Sequence, residues 1–131
     1  MRRQFVLTEE DTNFLQSQVL DWESIIEGNT KRIIVRKFPV PIGYNIKEVD
    51  LNIRIEPTYP DTQIDMVYFL PKLSRCDGKI IKAITDDQFD GKPWQRWSRH
   101  RTNQNPWRPG IDNLETHLIL VQEWLRLELE K

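Results

Sequence analysis

Between Phe89 and Gly110 the chain reads FDGKPWQRWSRHRTNQNPWRPG, a stretch with three of its five tryptophans, five Lys or Arg side chains, one of two histidines and a single acid. An imidazole exchanges protons near neutral pH, and guanidinium groups hold carboxylates through paired hydrogen bonds. His100 is therefore a candidate acid or base, and Asp90, Arg96 and Arg99 are candidates for a noncovalent site that holds a carboxylate. Trp97 and Trp107 join them as binding candidates. Two plainer readings compete: indoles commonly anchor a loop to a core, and the charged groups can tie a long loop to itself at below about 1 kcal/mol per exposed pair. The second source of chemistry is Cys76, the only cysteine, in LSRCDGKI. Arg75 beside it favours a thiolate and the Asp77-Gly78 turn favours exposure, so Cys76 is a candidate nucleophile; a lone thiol without a role is the competing reading.

Other chemistries lack their residues. There is no Gly-rich phosphate loop, no H-E-x-x-H, no C-x-x-C and no G-x-S-x-G. One cysteine and two histidines, His100 and His117, have no zinc-ligand spacing, so neither a metal nor a cofactor is expected. The charged fraction is 30% but balances to a net charge of -1, so any electrostatic function is local rather than a whole-protein attraction to polyanions. Aromatics interleaved with arginines would also suit single-stranded nucleic acid, the most distant of the functions considered. The apolar runs fall far short of the roughly 20 residues needed to span a bilayer. The opening MRRQFVLTEED has no apolar segment of a secretory signal, and a single cysteine fits a reducing compartment, so a cytoplasmic location is expected.

The elements that must position these residues follow from spacing. The 131 residues are read as a single domain, 1–131. Thr8 with Glu9, Glu10 and Asp11 caps a helix, and Phe14, Leu15, Val19 and Trp22 fall at helical spacing, so the helix is expected to end before Gly28-Asn29. KRIIVRKF, then Val49, Leu51, Ile53 and Ile55 alternating with polar residues, then IDMVYFLP, read as three strands joined by short links, with Lys79 to Ile84 as a fourth. Asp112-x-x-Glu115 has the form of a capping box, and Leu114, Leu118, Val121 and Leu125 make the apolar stripe of a closing helix. His117, on that helix, reads as a packing or surface residue, and Trp124 as core or a helix-face contact. The expected class is α+β: an N-terminal helix, a four-stranded antiparallel meander, a long active-site loop and a C-terminal helix, with the helices on one face of the sheet.

LTEEDTNFLQ, Trp22, FPVPIGYN, EPTYPDTQIDMVYFLPKL, FDGKPWQRWSRH and WRPGIDNLETHL, in this order from about Leu7 to Glu128, resemble the prokaryotic branch of the ubiquitin-conjugating-enzyme superfamily lettered family E. Tyr59-Pro60 and Trp107 to Pro109 match recurrent marks of that superfamily. The resemblance implies a UBC-like fold and a bacterial ubiquitin-like modification system, with a ubiquitin-like protein, an activating enzyme and a JAB-type metallopeptidase as partners and antiphage defence as a setting. In this superfamily a cysteine accepts the ubiquitin-like protein as a thioester, several residues after a His-Pro-Asn tripeptide. Here the tripeptide is absent, and Cys76 falls where the tripeptide would stand. Two assignments follow: Cys76 as acceptor, or a noncovalent site around His100 in a catalytically inert adaptor of the same fold.

Overall fold

Thr8 caps the first helix as its sequence requires: in a computed structural model, which describes residues 1–18 and 21–131, the Thr8 hydroxyl accepts from Asp11 N at 3.2 Å. Helix α1 spans Glu9–Ser17, and Leu15 is its buried apolar residue. It ends well before Gly28. Val19, expected on its apolar face, lies outside the described residues. Trp22 opens strand β1 (Trp22–Glu27), which pairs antiparallel with β2 (Thr30–Pro39) from Trp22↔Val35 to Glu27↔Thr30. The physical reason is the Gly28-Asn29 turn. Gly28 has φ 60°, which a tight hairpin needs at its first central position, and the hairpin claims Ser24, Ile25 and Ile26 for the ladder. The seven-residue step from Leu15 to Trp22 imitates helical spacing but crosses an element boundary.

The middle of the chain follows its alternation. Strand β3 (Glu48–Ile55) buries Val49, Leu51, Ile53 and Ile55 under the helices, and β4 (Val67–Leu70) continues the meander. The segment 79–83 is not a strand. Instead β5 (Ile84–Phe89) and β6 (Lys92–Trp97) form a hairpin inside what reads in the sequence as a long loop. Asp90 and Gly91 make its turn with φ 54° and 70°, the pair of positive values that a type I′ hairpin demands. The described strands therefore form a six-stranded sheet, order β1-β2-β3-β4-β6-β5, rather than a four-stranded one.

Helix α2 (Leu114–Glu128) closes the chain and buries Leu114, Leu118, Val121 and Leu125. Its cap is Asn113, one residue after the expected Asp112. Asn113 Oδ1 accepts from Thr116 N and Thr116 Oγ1 accepts from Asn113 N, while Asp112 Oδ2 turns away to accept from Arg108 N at 2.7 Å. Both helices contribute to one apolar core on one face of the sheet, as expected. The other face carries a smaller cluster of Ile25, Ile34, Tyr68, Phe89 and Trp94, which joins β1 at one edge to β5 at the other. The sheet is therefore curled. Arg2 clasps the two edges, donating to Asp90 at 2.7 and 2.9 Å and to Glu23 at 2.8 Å, and Asp90 N donates to Glu27. Among the described residues no helix is long and apolar enough to cross a membrane.

Trp94 and Trp97 show how the hairpin uses its indoles. A three-residue step puts side chains on opposite faces of a strand, so Trp97 enters the main core and Trp94 the smaller cluster. Each indole N–H is satisfied internally, by Gln95 Oε1 and Phe89 O respectively. Neither ring is free to stack a base. Trp97→Ala is expected to cost about 3–5 kcal/mol of unfolding free energy, as for other buried aromatic truncations. Arg96→Ala, on the same hairpin and with one exposed hydrogen bond to Thr85, is expected to cost within about 0.5 kcal/mol. Urea unfolding of the two variants measures both.

Candidate functional site

The polar residues of the 89–110 segment do not converge. Asp90 sits at the hairpin turn and belongs to the Arg2 clasp, which holds its carboxyl below the usual carboxylate range. Arg96 points across the hairpin, its Nε donating to Thr85 Oγ1 at 2.9 Å. Arg99 lies over the Trp97 ring and donates to Glu128 Oε1 at 3.0 Å and to Lys82 O at 3.1 Å. His100 faces elsewhere again, with Nδ1 3.0 Å from both Asp65 oxygens. The β5–β6 hairpin explains the scatter: Asp90 stands at its turn, Arg96 within β6, and Arg99 and His100 beyond the end of that strand. Two of these residues, Arg99 and His100, lead to places with distinct chemistry.

The first is the carboxyl-terminal end of α2. A helix leaves its last carbonyls without intrahelical partners. Arg75, whose side chain is only 2% exposed, supplies donors: Nη1 to Glu128 O at 2.6 Å and Nη2 to Leu129 O at 3.2 Å. The same guanidinium holds Asp77 through two hydrogen bonds, which keeps that carboxyl below its ordinary range, and lies 3.6 Å from Glu128 Oε2. Gly43 and Tyr44 run alongside. Tyr44 pairs with Arg75 in an isolated bridge and donates its hydroxyl to Leu125 O at 2.6 Å; burial pushes its pKa up. Gly43 has φ 126°, a conformation that side-chain-bearing residues rarely adopt, and its Cα faces the Leu129 side chain.

Cys76 is displayed by that arrangement. Its amide donates to Gly43 O at 2.9 Å, its thiol donates to Tyr44 O at 3.1 Å, and the residue is exposed. Arg75 is committed to carbonyls and carboxylates. Among the described residues no imidazole or carboxylate hydrogen-bonds to the sulfur. Ile42, just before Gly43, and Ile80, four residues after Cys76, are both largely exposed, 101% and 85%.

The second place is the His100–Asp65 pair. A carboxylate can only accept, so Nδ1 carries the proton and Nε2 is the free ring position; the side chain is 61% exposed. An imidazole oriented in this way by a carboxylate is the usual geometry of a general base. Asp65 had no signal in the sequence, because the pairing joins residues 35 positions apart. Cys76 and His100 do not share a cleft. His117 is bonded to Met66 beside Asp65, Glu128 is bonded to Arg75 beside Cys76, and the eleven-residue step between them on α2 spans about 16 Å.

Trp107 is half-buried and structural in its contacts: Nε1 donates to Pro60 O at 2.9 Å and its ring packs on Tyr59 at 6.1 Å. Tyr59 in turn donates its hydroxyl to Asp11, which also accepts from Leu114 N at the start of α2. The two sequence marks Tyr59-Pro60 and Trp107–Pro109 are thus in direct contact. Among the described residues no group of three or more His, Cys, Asp or Glu could hold a metal ion.

The family model described as Prokaryotic E2 family E matches residues 7–128. No curated protein and no solved structure matches the chain.

His117 is fully buried, edge-on to Trp124, with Nε2 donating to Met66 O at 2.9 Å. Burial lowers its pKa from 6.5 to about 4, opposed by the Met66 carbonyl, with Arg101 lowering it further and Asp65 raising it. The unfolded chain therefore binds a proton that the folded chain refuses. This stabilising contribution is full above pH 6.5 and is lost as pH falls toward 4, by roughly 3 kcal/mol. Glu23, which Arg2 holds down to about 2, gives its loss only below pH 4.5. Unfolding measured across pH 4–7 is expected to show this slope in the native chain and a flatter profile in His117→Gln; equal slopes would contradict it.

Proposed function

The chain belongs to the prokaryotic E2 family E, and from that premise we propose that it accepts a ubiquitin-like protein from an activating enzyme at Cys76. An E2-like family implies those two partners in general. The observation that carries the finer reading is the exposed thiol of Cys76 on a turn fastened to the end of α2. In thioester exchange the sulfur attacks the carbonyl that the activating enzyme holds as a thioester; the new C–S bond forms as the old one breaks, and the proton of Cys76 leaves to solvent with the enzyme thiolate released. Lys79 beside the turn and Lys82 on the same segment give the approach a positive rim for a carboxyl-terminal tail. His100, oriented by Asp65 and free at Nε2, then serves a contact or proton transfer at the far end of α2 rather than at the sulfur.

One observation favours the adaptor reading instead. The Tyr44 carbonyl accepts from the S–H of Cys76 and would repel a thiolate, and no base touches the sulfur among the described residues. In that reading the same surface binds the ubiquitin-like protein without a covalent step. We extend either reading to a cytoplasmic setting, a JAB-type metallopeptidase as partner and defence against phage, with the family resemblance as their support.

Incubation with the cognate activating enzyme, ATP and ubiquitin-like protein separates the two. The carrier reading expects an adduct that thiols discharge, present in His100→Ala and absent in Cys76→Ala. A complex of unchanged affinity in Cys76→Ala, with no adduct from the native chain, would establish the adaptor.

A further inference from the structure

Between the carboxyl-terminal end of α2 and the segment from Lys79 to Lys82 lies a cleft of about 240 Å³. It is lined by the exposed Lys79, Ile80, Lys82 and Lys131 and by the buried Arg75 and Glu128. We propose that this cleft binds an extended acidic segment of the ubiquitin-like protein, its carboxylates pairing with Lys79 and Lys82. The identity of the partner rests on the proposed E2-like function, while the acidic chemistry rests on the side chains of the cleft.

The local balance of charge carries the inference. Glu128 is a single buried carboxylate, and three cations crowd it: Arg99 Nη2 at 3.0 Å, Lys131 Nζ at 3.4 Å and Arg75 Nη1 at 3.6 Å. Asp77, the other acid here, is held by Arg75. Arg75 Nη2 and Lys79 Nζ also donate to Lys131 O, at 3.3 and 3.1 Å. Lys82 O accepts from Arg99 Nη1 at 3.1 Å, so the Lys82 backbone stands beside the same cluster, and among the described residues its ammonium has no carboxylate within ion-pair distance. Even with a terminal carboxylate at Lys131, five cations, Arg75, Lys79, Lys82, Arg99 and Lys131, face three anions in a chain whose net charge is -1. Such a surplus raises the local concentration of anions. Lys79 and Lys82 are exposed, so an incoming carboxylate reaches them directly.

Shape and composition select the occupant. Ile80, exposed beside Lys79 in the lining, offers an apolar contact that an inorganic anion would leave unused. Among the described residues no aromatic side chain lines the cleft, so it gives a nucleic acid nothing on which to stack its bases. An extended peptide meets both demands. Its alternate side chains share one face, about 6.6 Å apart at about 3.3 Å per residue, and the Cα atoms of Lys79 and Lys82 are at most about 10 Å apart. The flexible lysine stems close that difference, so acids at alternate positions of the peptide reach both ammonium groups. A basic segment would meet like charge at the same two positions, and the pair that favours an acidic tail therefore rejects a basic one.

The test titrates the full chain with three fluorescent hexapeptide amides in which leucine alternates with aspartate, with asparagine or with lysine, followed by anisotropy and by amide NMR shifts. The aspartate peptide is expected to bind and to shift Lys79, Ile80 and Lys82, the asparagine peptide to bind about fivefold or more weakly, and the lysine peptide not to bind. The double variant Lys79→Gln with Lys82→Gln changes only exposed side chains and is expected to lose about fivefold or more, whereas Lys79→Arg with Lys82→Arg keeps the affinity. Native affinity falls as salt rises from about 50 to about 300 mM. Cys76→Ala is expected to bind the aspartate peptide as the native chain does, so a failure of the thioester reading leaves this result unchanged. Equal affinity of the aspartate and asparagine peptides, native affinity in the double glutamine variant, or no shift at millimolar aspartate peptide would overturn the proposal. Oligothymidylate binding as tightly as the aspartate peptide would also overturn it, by assigning the cleft to polyanions in general.

Discussion

A helix that ends inside a protein must have its last carbonyls answered, and here a buried arginine answers them. Arg75 reaches the carbonyls of Glu128 and Leu129 from a segment more than 50 residues earlier in the chain, and its charge is balanced by Asp77 and Glu128. A buried guanidinium stripped of such partners would be strongly destabilising, so the segment from Leu73 to Asp77 has little freedom. It must run beside Tyr44 and the end of α2. The display of Cys76 is a consequence of that constraint, as is the close approach of Gly43 to Leu129.

The opposite end of α2 is held by a different device. Asp11 of α1 accepts from Leu114 N and from the Tyr59 hydroxyl, and Tyr59 packs on Trp107, whose indole reaches Pro60. One carboxylate thus joins the first helix, the proline-rich connection and the last helix at a helix start, where negative charge is favoured. Between the two anchored ends, α2 presents its inner stripe to the core. The two exposed reactive groups, Cys76 and His100, are sorted to opposite ends by the same geometry.

Much of this frame was legible in the amino-acid order. Leu114, Leu118, Val121 and Leu125 mark one face of a helix, and Val49 to Ile55 alternate as a strand with one face under that helix must. Tight turns account for the differences: Gly28-Asn29, expected only to follow the first helix, closes a hairpin that takes Trp22 into β1, and Asp90-Gly91 makes a hairpin from a stretch whose charge and indole content suggest a loop. Density of functional residue types in sequence is no measure of their proximity in space, because a hairpin disperses what a short loop would gather. Asp65 beside His100, and Arg75 and Arg99 on Glu128, are relations between distant segments and have no local signal.

The proposed carrier role rests on the end of α2, with Cys76 as its reactive point. The most direct measurement is trapping with a ubiquitin-like protein that carries a thiol-reactive group at its C-terminus, followed by peptide mapping of the site of attachment. Attachment at Cys76, faster than that of a small thiol-reactive compound without the protein, is the result predicted here. Attachment at the same rate for both reagents, or a stable complex in which Cys76 stays unmodified, would contradict it.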